Sequence, residues 1–207
     1  MEFNKEVLSQ ILPSIIDSTC VDTRIFSNPP PKYGEAVFDK EGHYVETDST
    51  KATPEEIKNL KDWKKNLVEI EKDTSKVIIA FDPKISPYEK EYKLIVSKDF
   101  PKDTLKKIID DETKKYILNY KDIKLDGKFK LKNINEFDKR SIFERKYKFN
   151  FSGILTVSAI KFDEKRENGI LDVGFTCGRL CGYGNKVFIK KIKNKWKIIK
   201  MEGTWIS

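Results

Sequence analysis

The chain has 207 residues, a net charge of +8 and one histidine, with 38% hydrophobic and 12% aromatic residues. That is enough apolar material for a substantial core and is not a disordered composition. A single His and two Met exclude His-triad metal centres, H-E-x-x-H proteases and Met-rich helix-binding grooves.

The charge is unevenly distributed. Residues 1–50 hold 4 basic and 9 acidic side chains, residues 51–207 hold 37 and 24, and from Val173 onward there are eight Lys or Arg against Glu202. Such a field favours anionic partners, nucleic acid among them, but equally describes a lysine-rich solvated face, and no nucleic-acid-binding motif accompanies it. No run approaches 18 apolar residues, so no transmembrane segment is expected. The first residues read poorly as a secretory signal, which points to the cytoplasm; a removed leader would place the chain in the periplasm or at the envelope.

In chain order, Val7, Leu8, Ile11, Leu12, Ile15 and Ile16 recur at helical spacing over residues 4–18, with Pro13 predicting a kink or two short helices. Residues 28–34, with three consecutive prolines, read as a stiff extended turn. Residues 36–48 suggest a small hairpin around Lys40-Glu41-Gly42. His43, just beyond, has no sequence-local nucleophile or second His and reads as a surface or packing residue rather than an acid-base catalyst. Thr53-Pro54-Glu55-Glu56 is a capping box, so a helix should follow with Ile57, Leu60, Trp63 or Lys64, Leu67 and Ile70 on one face. Residues 77–81 are dense enough for a buried strand and residues 91–97 offer a second. A helical region is expected from Phe100, with Leu105, Ile108, Ile109, Tyr116, Ile117 and Tyr120 at apolar spacing. Its acids Asp110, Asp111 and Glu112 have no calcium-loop spacing, so no metal site is assigned.

From Leu125 the period becomes two. Residues 128–132 alternate as a strand, and Phe143, Tyr147, Phe149 and Phe151 predict a half-buried antiparallel strand. Those rings beside lysines resemble a single-strand nucleic-acid platform, but core packing is the favoured reading. Residues 154–162 with 169–177, then residues 187–192 with 196–201, form two antiparallel pairs.

Between them lies Cys177-Gly178-Arg179-Leu180-Cys181-Gly182-Tyr183-Gly184. Its glycines permit a compact bend or positive φ, its amides an anion-binding nest, and Arg179 adds charge. The spacing is neither a P-loop nor a dinucleotide fingerprint. Cys177 and Cys181 allow a disulfide if geometry permits, leaving Cys20 over. The segment 177–184, with Asn194-Lys195-Trp196-Lys197-Ile198 and the closing Thr204-Trp205-Ile206-Ser207, resembles an uncharacterised group of small bacterial, Bacteroidetes-like proteins. The resemblance implies no biochemical role; relatives in that group often look exported or membrane-anchored.

These readings combine into an α+β fold, an antiparallel sheet with a C-terminal four-strand meander covered on one face by helices from the N-terminal half. A single domain over 1–207 is expected, with a possible subdivision into a helical and loop layer, 1–72, and a sheet-rich portion, 73–207. The expected function is a non-enzymatic binding or protein-interaction module that captures a polar or anionic ligand or a protein. Arg179 serves as donor, Tyr183 as apolar contact, and Gly178, Gly182 and Gly184 shape the loop. No catalytic residue, metal or cofactor is assigned. The alternatives are nucleic-acid binding through Lys186, Lys190, Lys191 and later lysines, and a hydrolase whose site assembles from distant residues.

Overall fold

The computed structural model describes residues 1–26, 29–87 and 115–207. They form two compact units, Met1–Val21 with Lys76–Ser207, and Asp22–Ser75. The strand expected over 91–97, the start of the helix after Phe100 and the acids at 110–112 lie outside the described residues.

The larger unit begins with helix α1 (Glu2–Thr19). Its stripe, Val7, Leu8, Ile11, Leu12, Ile15 and Ile16, is almost fully buried. Pro13 does not divide it: the helix runs as one 18-residue element. The residue deletes one amide donor, and burial of six aliphatic side chains, each contributing about 1.5 to 3 kcal/mol, outweighs that loss.

The Asp22–Ser75 unit contains strands β1 (Glu35–Phe38) and β2 (Tyr44–Asp48), paired as the expected hairpin, and helix α2 (Pro54–Lys72). Both halves of the capping box form, Thr53 accepting from the Glu56 amide and Glu56 from the Thr53 amide. Leu60, Trp63, Leu67 and Ile70 are half-buried and no residue of α2 is fully buried. Arg24 ties this unit together by donating to both Asp22 and Asp73. That guanidinium, and then Ser75, hold the Asp73 carboxyl well below the usual carboxylate range.

The sheet contains β3 (Val77–Phe81), β6 (Phe129–Asn133), β7 (Asn150–Val157), β9 (Asn168–Gly178), β10 (Cys181–Ile192) and β11 (Lys195–Ile206) in the spatial order β11-β10-β9-β7-β3-β6. A short β8 (Lys161–Phe162) also pairs with β9. The first four strands of that order, β11, β10, β9 and β7, are the antiparallel meander. Strand β3 inserts between β6 and β7 and is parallel to both, so the sheet is mixed rather than purely antiparallel. Each residue of β3 is buried, as a strand covered on both faces requires.

Helix α1 covers one face, where Ile79, Phe81, Leu155, Leu171, Val173, Phe175, Val187 and Ile189 join its stripe in one core. A buried polar hub seats its first turn. Asn4 donates to the Ile160 carbonyl at 2.6 Å, and its Oδ1 accepts from the Ile160 amide at 3.1 Å and the Tyr116 hydroxyl at 2.7 Å. The opposite face at β3 is covered by Phe137, Ile142, Phe143, Tyr147, Phe149 and Phe151, packed on Ile78 and Ala80.

Two predicted elements differ from this arrangement. Tyr116 and Ile117 form a short strand, β5, paired with β4 (Lys84–Ile85), and no helix continues to Tyr120. Tyr116 and Tyr120 enter the core from this irregular chain. The strand expected from Phe143 begins only at Asn150; residues 139–144 are turns. Its alternating rings act as knobs from a loop, and their placement over β3 agrees with core packing. Among the described residues, no helix is long and apolar enough to cross a membrane.

Candidate functional site

The glycine-rich segment does not bulge into a loop. Strand β9 runs through Gly178 and β10 starts at Cys181, leaving Arg179 and Leu180 as the turn. Gly178, Gly182 and Gly184 are not in positive-φ conformations, which among the described glycines belong to Gly34, Gly42 and Gly153. The compact bend takes the form of this two-residue hairpin turn without positive-φ glycines, closed by a Cys177–Cys181 disulfide with Cα atoms 5.1 Å apart.

The disulfide closes a loop with a sequence separation of four, for which chain entropy gives about 2 kcal/mol of stabilisation. Replacing both cysteines with serine is expected to lower the unfolding free energy by that amount, read as a lower denaturant midpoint at constant slope of the transition. Unfolding titrations with and without reductant check it, and reductant should leave the double variant unaffected. Cys20 is buried, and burial pushes its thiol far above the ordinary range.

Arg179 and Tyr183 are not brought together. Arg179 pairs with Glu144, in the segment that covers the sheet face opposite α1. Tyr183 faces α1: its hydroxyl donates to the Thr19 carbonyl and its ring lies 5.8 Å from Phe175. Burial raises its pKa. Leu180 is 90% exposed, so it anchors nothing. Lys186 is buried and paired in register with Asp172, whereas Lys190 and Lys191 are exposed beside a two-residue turn at Lys193 and Asn194. Both turn residues have positive φ, the geometry of a tight hairpin. His43 is exposed, 3.4 Å from Asp39. With Glu41 they group three ligand-type atoms, but Asp39 is already occupied in accepting the Glu41 and His43 amides of the hairpin turn.

The glycines at 182 and 184 instead make room for Trp205. A Cβ at 184 would stand 2.0 Å from the indole Nε1, one at 182 would stand 3.2 Å from Cζ3, and one at Gly174 would stand 3.7 Å from Cζ2. The ring therefore starts on β11, lies across β10 and reaches β9. A groove of about 390 Å³ opens at its far edge, lined by Pro87, Thr156, Ser158, Asp172 and Thr204 among others.

A second groove, of about 520 Å³, lies on the face opposite α1, between the end of β6 and residues 145–149. Lys132, Arg145, Lys146 and Lys148 line it against one acid, Glu136, whose carboxylate accepts the Asn133 amide of a capping box. Its aromatic wall is a stacked pair, Tyr147 and Phe149, 5.0 Å between centroids at 22°. The Tyr147 hydroxyl is fixed on the Ile142 carbonyl at 3.0 Å, and the Lys132 ammonium sits 4.7 Å above the Phe149 ring. The alternation of rings and lysines over 143–151 was the sequence signal for this wall; what it did not carry is that Lys132, from another strand, joins it.

Together these features define an α+β protein with a mixed sheet and open grooves on described surface, these two among them. Compared with protein-family models, curated proteins and solved structures, the chain matches none.

Proposed function

We propose that the protein is a binding module, acting by reversible capture of an anionic partner rather than by catalysis, and that capture occurs in the groove between Lys132 and Lys148. The observation that carries this reading is the concentration of four cationic side chains around a rigid stacked aromatic wall. Arg145, Lys146 and Lys148 are exposed, so their ammonium and guanidinium groups keep their solvation until a partner arrives. Arg145 supplies a planar fork for a carboxylate or phosphate, the lysines supply charge attraction, and the flat ring pair supplies apolar contact. The site thus moves from the expected Arg179 and Tyr183, which are engaged with Glu144 and Thr19, to a groove that retains the same chemistry. The exposed lysines 190, 191, 193, 195 and 197 add a second basic surface that supports nucleic acid as the form of the polyanion.

The test is fluorescence-anisotropy titration with two labelled probes, a single-stranded oligonucleotide and poly-glutamate, at about 50 and 200 mM salt. Binding is expected to weaken steeply with salt, as counterion release demands. The folded triple variant K132A/K146A/K148A should lose about tenfold or more in affinity, each lost contact contributing about 0.5 kcal/mol. Equal affinity of the triple variant and the parent rejects this groove. Failure of both probes to bind at low salt rejects the function.

A further inference from the structure

The Trp205 shelf is separate from the basic groove and has a different chemistry. Glycine inside a strand is destabilising by roughly 0.5 to 1 kcal/mol relative to alanine, yet Gly174, Gly182 and Gly184 lie under a single indole that remains 47% exposed. One ring face is thereby fixed on backbone, and what remains accessible is a flat aromatic surface held in one orientation. Beyond its edge, Thr156, Ser158 and Thr204 bring hydroxyls and Asp172 a carboxylate to the same groove. The polar groups are also positioned from below: the Ser158 hydroxyl accepts the Asp172 amide at 2.9 Å, the Ser158 amide donates to the Asp172 carbonyl at 2.9 Å, and the Thr156 hydroxyl donates to the Gly174 carbonyl at 3.4 Å. Pro87 closes the other side. The volume, about 390 Å³, falls in the range of roughly 300 to 1,000 Å³ that small-ligand sites occupy.

We infer that this shelf is a binding site for a neutral saccharide, whose ring stacks on the exposed face of Trp205 while its hydroxyls donate to Asp172 and to the Thr156 and Ser158 oxygens, whose own protons are held by the Gly174 and Ala159 carbonyls. The occupant follows from the chemistry. Asp172, the one charged residue among those lining the groove, faces Lys186, its register partner on β10, so neither an anion nor a cation meets an unbalanced charge there. A polyhydroxylated ring presents an apolar face to the indole and hydroxyl donors to the carboxylate, and bonds to a charged acceptor are the stronger kind. Burial raises the Asp172 pKa, in keeping with a carboxylate only partly open to water.

The experiment is isothermal titration of the full chain with neutral cello-, malto- and N-acetylchito-oligosaccharides, repeated for W205A, W205F and D172N, with thermal melts as the control for folding. At least one oligosaccharide is expected to bind, with an affinity indifferent to salt. W205A and D172N should each weaken it about tenfold, the size of one aromatic or charge-assisted contact, and W205F should retain an intermediate affinity. If W205A fails to fold, W205F and D172N decide the matter. The inference is overturned if none of the three series binds the folded parent, or if D172N and the Trp205 variants bind as the parent does. Polyanion capture weakens with salt and saccharide binding does not, so the two readings fail separately.

Discussion

Asn4→Ala is expected to cost about 3 to 5 kcal/mol of stability in the sheet-bearing unit, because it strands three buried polar groups at once and each such loss contributes about 1 to 3 kcal/mol. The side chain is only 5% exposed, and it satisfies the carbonyl and the amide of Ile160 and receives the Tyr116 hydroxyl. Alanine replaces none of these, and the space it leaves lies between α1, the chain after Ser158 and β5. Tyr116→Phe supplies the comparison. It deletes one bond of the three and leaves the Asn4 carbonyl oxygen with the Ile160 amide, so about 1 kcal/mol is expected. Urea unfolding of both variants checks the ratio; equal destabilisation by the two would show that the two Ile160 bonds add nothing beyond the Tyr116 bond.

Gly153→Ala is expected to destabilise by about 3 kcal/mol or more, through backbone strain and overpacking together. Gly153 has φ +157°, and it sits where the β3–β7 register shifts, Ile78 facing Phe151 and Ile79 facing Gly153. The residue passed over, Ser152, turns its hydroxyl to the Val21 carbonyl. A methyl group at 153 would stand 2.5 Å from the Thr176 carbonyl oxygen and 2.7 Å from Cζ of Phe175, which has no exposed surface. Neither neighbour is a flexible tip: one is backbone of β9 and the other is the centre of the core. Gly203→Ala, in the same unit with nothing within 4 Å of its Cβ position, should stay within about 0.5 kcal/mol of the parent. Chemical denaturation of the pair separates a positional requirement from a general intolerance of substitution.

What the sequence revealed was mainly what neighbours in the chain decide. The box at Thr53 to Glu56, the aliphatic stripe of α1 and the small hairpin of β1 and β2 are each set by residues within a few positions, and each forms where local chemistry puts it. The parallel seat of β3 depends on partners about 50 and 70 positions away, and nothing in Val77-Ile78-Ile79-Ala80-Phe81 specifies which strands flank it. The alternation at 143–149 was misleading because a loop that drops every second ring onto a sheet has the same period as a strand. The glycines at 182 and 184 read as a bend because glycine usually frees the backbone. Here they answer to the bulk of Trp205, some twenty residues onward, and a sequence pattern cannot say which indole will lie over which glycine. Asn4 drew no notice as one polar residue ahead of an apolar stripe, since its partners, Tyr116 and Ile160, are over a hundred positions distant.

The order of strands also bears on how the molecule comes into being. Synthesis delivers α1 first, yet the surface it packs on is assembled from β3, β7, β9, β10 and β11. The meander is the part of that surface with short connections, and short-range pairing is fast. It can pair on its own, whereas β3 adds to the edge of β7 and β6 in turn to the outer edge of β3. Until that happens six aliphatic side chains at the front of the chain have nowhere to go. Burial of that stripe therefore waits on strands that begin some sixty positions further along the chain.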